Sequence, residues 1–147
     1  MKNKKPKNVF KEGAISSEFI AKSIANHQSK TGIGAHNIFL GQVRADEING
    51  KIVTAIDYTA YEEMANAKFH EIREAAFDKF DLNCMHIYHS IRKVNIGEIC
   101  LFVFVSSPRR KEVFPAIEFI VEEIKANVPV FGKEIFEDES HQWKVNS

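Results

Sequence analysis

Cations at particular places give this chain of 147 residues its most specific chemistry. Arg109, Arg110 and Lys111 follow Ser106-Ser107-Pro108, between an apolar strand-like run and the start of a helical pattern. Backbone N–H groups at a helix start favour an anion, and guanidinium forks hold phosphate oxygens in pairs. Cations there oppose the helix dipole, so the placement becomes favourable when an anion is bound. Arg44 ends the stretch FLGQVR, in which Gly41 permits close approach of another backbone or a ligand. Lys125 and Lys133 bracket a Val-Pro-Val-Phe-Gly run. Lys125 closes a helical segment, where a cation suits the dipole, and Lys133 opens a strand. The pattern points to an anion site for a phosphorylated small molecule.

Other chemistries find less support. His86 and His89 are three apart in a strand, face opposite sides and cannot clamp one metal. His27, His36, His70 and His141 show no ligand spacing, so no metal site is expected. No nucleophile elbow, Walker loop or dinucleotide fingerprint is present.

The elements that must position these cations are read from periodicity. Ser16 or Ser17 caps a helix running to about residue 28, with Phe19, Ile20 and Ile24 on one face. Residues 36–44 read as a strand, then a polar turn ends in Asn49-Gly50, a hairpin signal. Residues 51–61 alternate, with Ile52, Thr54, Ile56 and Tyr58 on one side. A helix follows over 62–80, with Ala65, Phe69, Ile72, Ala76 and Phe80 at three- and four-residue spacing. Strands are expected at 84–92 and 99–107, the second apolar on both faces and therefore central. A last helix over 110–126 has Val113, Ile117, Ile120 and Ile124 as its buried stripe, with Pro115 near its first turn. Short strands at 133–136 and 142–145 complete the chain. Strands that arrive in hairpin pairs between helices predict an α+β fold with a largely antiparallel sheet.

Composition narrows the class. With 44% hydrophobic and 27% charged residues, the chain builds a real core as a globular domain. Twelve Phe against one Trp predict an aromatic-rich core. Net charge is zero, so no overall field draws the chain to nucleic acid or membrane. The basic start MKNKKPKNVF lacks the apolar stretch of a secretory signal, and residues 1–12 are expected to be a basic flexible tail before one domain at 13–147. Cys84 and Cys100 lie in apolar stretches without a CxxC pattern and are expected buried and reduced, in a cytoplasmic setting.

The segments FLGQVR (39–44), YTAYEEMA (58–65), HSIRKVNIGE (89–98), SSPRRKEVF (106–114) and IKANVPVFGKEIFED (124–138), with Trp143, together resemble the MoaE family, the catalytic large subunits of molybdopterin synthase. The resemblance implies an α/β hammerhead fold with an additional antiparallel sheet, and a homodimer. Each subunit would bind a small ubiquitin-like sulfur-carrier subunit, giving a heterotetramer. The carrier's Gly-Gly tail, as a thiocarboxylate, would deliver sulfur twice to cyclic pyranopterin monophosphate. No metal or cofactor is implied. Carried over residue by residue, substrate contact falls on Gln42, Val43 and Arg44, phosphate binding on Arg109 and Arg110, and the first catalytic lysine on Lys125. The segment with the second lysine falls on Phe131, Gly132, Lys133 and Glu134.

Two departures stand out. Arg109 occupies a place that is commonly His in the family, and Arg cannot shuttle protons near neutral pH. The usual Pro-x-Trp-Lys-x-Glu pattern reads Pro129-Val130-Phe131-Gly132-Lys133-Glu134, with glycine at the second lysine's place and a lysine one position later. One position in a strand reverses the side chain's face. Lys133 takes the role on the condition that a bulge or an unusual φ at Gly132 absorbs the offset. Arg110 and Lys125 stand fifteen residues apart on one helix, roughly 22 Å at the α-helical rise, so a pocket shared between two subunits is expected. Other readings are a carrier-binding subunit of this fold without catalysis, and a small phosphate- or nucleic-acid-binding module, which zero net charge opposes.

Overall fold

A computed structural model of the chain describes residues 6–145. Its centre is β6 (Ile99–Ser107), buried along almost its whole length. Alternation sends Leu101, Val103 and Val105 to one face and Phe102 and Phe104 to the other. The first face packs with α2 (Glu62–Lys79) and α3 (Arg110–Asn127) through Phe69, Ile72, Val113 and Ile120. The second packs with α1 (Ser17–His27) through Phe19, Ile20 and Ile24. Ser16 starts α1 by accepting a hydrogen bond from the Phe19 amide at 3.1 Å, a cap worth about 1 kcal/mol.

The strands lie in the order β2 (Ala35–Gln42), β6, β5 (Cys84–Asn95), β4 (Lys51–Ala60), β7 (Val130–Phe136) and β8 (His141–Trp143), each antiparallel to its neighbour. The long β5 changes partners along its length. Cys84 to His89 pair with β6, and Arg92 to Asn95 pair with β4, with Arg92 itself at φ 72°. The sheet thus continues from the part under the helices into an additional antiparallel part made of β4, β7 and β8. This is the α+β arrangement that the sequence predicts.

Several local expectations are corrected. Residues 1–5 of the expected tail lie outside the described residues, but the fold has begun by Val9. Val9 is buried, and Phe10–Glu12 form β1, parallel to His89, Ser90 and Ile91 of β5. The apolar pair Val9-Phe10 outweighs the basic residues before it, because it closes an open edge of β5. Glu47–Ile48 form β3, a short hairpin partner of β4. Asn49 (φ 52°) and Gly50 (φ 80°) supply the two left-handed residues that its tight turn requires. Ile52 does not share a buried face with Ile56. The β4–β7 register shifts between Val53 and Ala55, so Val53 and Ala55 are buried while Ile52 is 39% exposed. On α3, Ala116 takes the fully buried place and Ile117 packs at the rim. Pro115 lies inside α3 rather than in its first turn, on the exposed side, where water can serve the carbonyl it leaves unpaired.

Candidate active site

The C-terminal end of β2 meets Glu134 of β7 and the end of α3 around a cavity of about 300 Å³. Its position follows from backbone pairing. After Gly41 the β2 register slips, and Val43 anchors the strand end through Val43 N–H to the Glu98 carbonyl (3.0 Å) and Gly97 N–H to the Val43 carbonyl (2.8 Å). Val43 is buried in the main core, so it positions the segment, while Gln42 and Arg44 flank the cavity. Arg44 holds Asp46 at 3.1 Å on the rim, with its side chain 72% exposed.

Lys125 enters from the last turn of α3, where its charge complements the helix dipole. Glu134 enters from β7 and is buried; it accepts a hydrogen bond from the Gln142 amide at Oε1 (3.0 Å), and Lys144 Nζ lies 3.9 Å from its Oε2. A second cavity of about 210 Å³ shares part of this lining and is also lined by His89 and Gly132. Tyr58, Lys125 and Lys144 line both cavities.

Burial sets the protonation of the neighbours. It pushes the Tyr58 phenol well above its ordinary value, reinforced by Cys100 and Glu134, so the group remains a neutral hydroxyl. Burial also lowers His89 to about 4; its hydrogen bond to the Ser90 carbonyl opposes this, and nearby Lys125 adds to it. His89 is therefore neutral at pH 7, with Nδ1 donating to Ser90 and Nε2 left as an acceptor.

Of the residues singled out from sequence, Gln42, Val43, Arg44, Lys125 and Glu134 come together here. Lys133 does not. β7 keeps unbroken register with β4 from Val130 to Ile135, and Gly132 has no positive φ, so neither a bulge nor an unusual dihedral turns Lys133 inward. It pairs across the sheet with Asp57 and Trp143, on the face opposite Gly132 and Glu134, and lines neither cavity. Arg109 and Arg110 lie elsewhere, beside a cavity of about 440 Å³ with Gly34, Pro108 and Lys111. There Arg109 is the N-cap residue of α3 without a side-chain cap, and both arginines are exposed at a helix start, a setting that favours an anion.

A family model described as MoaE protein matches residues 14–127. The chain belongs to the MoaE family. It is 40% identical to a molybdopterin synthase catalytic subunit of Pyrococcus abyssi, over 78% of this chain and 76% of that protein. Other relatives of the same name are longer, and the matched part spans 32% of two of them. The fold is similar to the crystal structure of molybdopterin synthase from Staphylococcus aureus, with a TM-score of 0.78, 29% identity, and 92% and 95% of the two chains covered. It is also similar in fold to a chain from the complex of subunits 1 and 2 of molybdopterin-converting factor from Helicobacter pylori, with a TM-score of 0.78, 19% identity, and 91% and 87% covered.

In this MoaE chain, sequence reasoning missed Tyr58, His89 and Lys144 at the cavities. Lys144 was legible only through the β7–β8 register, which no local pattern specifies. Sequence reasoning also missed a cluster of His27, Cys84 and His86, whose ligand atoms lie within 4.8 Å of one another. Cys84 and His86 are two apart on β5 and share a face, and His27 descends from the end of α1. Hydrogen bonding accounts for their approach. His27 Nδ1 donates to the Ser23 carbonyl (2.7 Å), its Nε2 meets His86 Nε2 at 3.0 Å, and Lys30 donates to Cys84 Sγ (3.1 Å). Burial, with Lys7, His27, Arg73 and Lys30 nearby, lowers His86 to about 4. Among the described residues, no helix is long and apolar enough to cross a membrane.

Proposed function

We propose that this chain is the catalytic subunit of molybdopterin synthase. It transfers sulfur from the C-terminal thiocarboxylate of a small ubiquitin-like carrier subunit to cyclic pyranopterin monophosphate, building the molybdopterin dithiolene. The observation that carries this reading is the convergence of Gln42, Arg44, Lys125 and Glu134 on one cavity in a MoaE-family chain.

The chemistry suits the setting. A thiocarboxylate tail and a phosphate both bring negative charge, which needs cations held in place before the reaction. Lys125 supplies one from the end of α3, and Arg44 another at the cavity rim. Neutral His89 and the protonated Tyr58 hydroxyl add no negative charge beside the incoming anions. In the working enzyme, Lys125 faces the acyl group as sulfur leaves it, and Gln42, Val43 and Arg44 line the path of the substrate. Arg109 and Arg110 bind the phosphate.

Lys125 and the two arginines do not share a cavity within one chain. The functional unit is therefore a homodimer in which the arginines of one subunit face the Lys125 cavity of the other, with one carrier subunit on each, a heterotetramer. Two buried, unpaired cysteines suit a reducing cytoplasmic setting.

The test is reconstitution. The chain is mixed with thiocarboxylated carrier and cyclic pyranopterin monophosphate, and product is read by fluorescence after oxidation. Turnover is expected. Gly132 is the observation favouring a second reading, a subunit that binds the carrier without catalysis; tight carrier binding with no product from a competent carrier would establish that reading instead.

A further inference from the structure

We infer that Lys144, from the C-terminal strand, is the second cation of the sulfur-transfer cavity and takes the place that Gly132 leaves vacant; this rests on the sulfur-transfer reading above. The β7–β8 register pairs Lys133 with Trp143, Glu134 with Gln142 and Ile135 with His141. Continued by one residue, it sets Lys144 directly opposite Gly132, and the Lys144 amide donates to the Gly132 carbonyl at 2.8 Å. Residues directly opposite in an antiparallel pair project their side chains to the same face. Lys144 therefore stands on the face of Gly132, Glu134 and Gln142, and Lys133 stands on the other.

Gly132 has no room to carry the cation itself. A Cβ there would lie 2.9 Å from Ile56 Cγ2 and 3.3 Å from the Tyr58 ring. The residue directly opposite, Lys144 at the end of β8, sends its side chain to the same face. That side chain is only 27% exposed, and it lines both cavities that Lys125 lines.

Neutralising the buried Glu134 is the competing explanation for Lys144. Gln142 already donates to one oxygen of that carboxylate, and Lys144 stands 3.9 Å from the other, beyond hydrogen-bond distance. The pair keeps the ammonium beside the cavities that Lys144 lines, without a hydrogen bond to the carboxylate. Lys125 and Lys144 thus present two ammonium groups to an anionic tail end from two sides, one from a helix end and one from a strand edge.

The test uses the complete system of chain, thiocarboxylated carrier and cyclic pyranopterin monophosphate. Lys144→Met keeps the aliphatic stem and removes the charge. It is expected to lower the transfer rate about 100-fold, the cost of losing one preorganised donor to developing charge, with carrier affinity and Tm close to wild type. Lys133→Ala is expected to keep the wild-type rate. Lys144→Cys, aminoethylated to a lysine analogue before the carrier is added, is expected to recover most of the rate. A role confined to supporting the fold would not show this loss at unchanged Tm. Wild-type rates in Lys144→Met, or collapse in Lys133→Ala with Lys144→Met active, would overturn the inference while leaving the enzyme reading intact. Failure of the wild-type chain itself with a competent carrier would overturn the reading on which it rests.

Discussion

Arg110 and Lys125 stand at opposite ends of α3 and line different cavities. The helix between them spans roughly 22 Å, too far for one small anion to meet both charges. In a two-fold dimer the same surface is used twice, so one subunit can supply what the other lacks. An Arg110→Ala chain and a Lys125→Ala chain should each be inactive alone. Mixed at equal amounts with free exchange, half of the dimers are hybrid and carry one intact site each, so about one quarter of wild-type activity should return. No return, with hybrid dimers shown by mass spectrometry, would mean that each subunit works alone.

Arg44 is a rim residue whose ion pair with Asp46 is largely in solvent. Such pairs contribute about 1 kcal/mol or less to stability. Arg44→Ala should therefore leave the denaturation midpoint almost unchanged. Its loss should show in substrate use, raising KM for the cyclic monophosphate about tenfold or more, the equivalent of about 1.4 kcal/mol of binding. A large fall in Tm would instead make Arg44 a structural residue.

His89 makes stability depend on pH. Its folded-state value of about 4 lies below the ordinary 6.5. The folded chain therefore binds fewer protons than the unfolded chain between these values. The stabilisation is fully present above pH 6.5 and is lost as pH falls through the window toward 4, at a slope approaching about 1.4 kcal/mol per pH unit for this one group. His86 is shifted in the same direction and adds to the trend. Urea unfolding at pH 7, 6 and 5 should show a falling midpoint with an unchanged m-value. His89→Gln should flatten the profile; an identical profile in that variant would assign the effect to other groups.

Phe102 anchors the smaller core under α1. It is fully buried, stacks on Phe104 (6.0 Å between centroids) and on Tyr88 (5.9 Å), and meets Phe19 edge-on. Phe102→Ala should cost about 3–5 kcal/mol by leaving a cavity among rings that cannot collapse into it. Because Phe102 faces away from the Lys125 cavities, transfer activity measured well below the lowered Tm should stay near wild type.

Much of this protein was legible along the chain. Ser16 caps α1, Asn49-Gly50 turns a hairpin, and the run from Ile99 to Ser107 reads as a central strand, because each feature depends on neighbours within a few residues. The family segments likewise pointed to Gln42, Arg44, Lys125 and Glu134, which the structure gathers on one cavity. What sequence could not supply was facing and partnership between distant strands. β1 was hidden because its pairing partner lies some eighty residues away on β5. Lys133 lay closest to the expected lysine position, yet unbroken β4–β7 register turns it away, and β7–β8 register brings Lys144 to the face it leaves. A strand repeats every two residues, so a single step in register reverses every side chain, and register is a property of the assembled sheet.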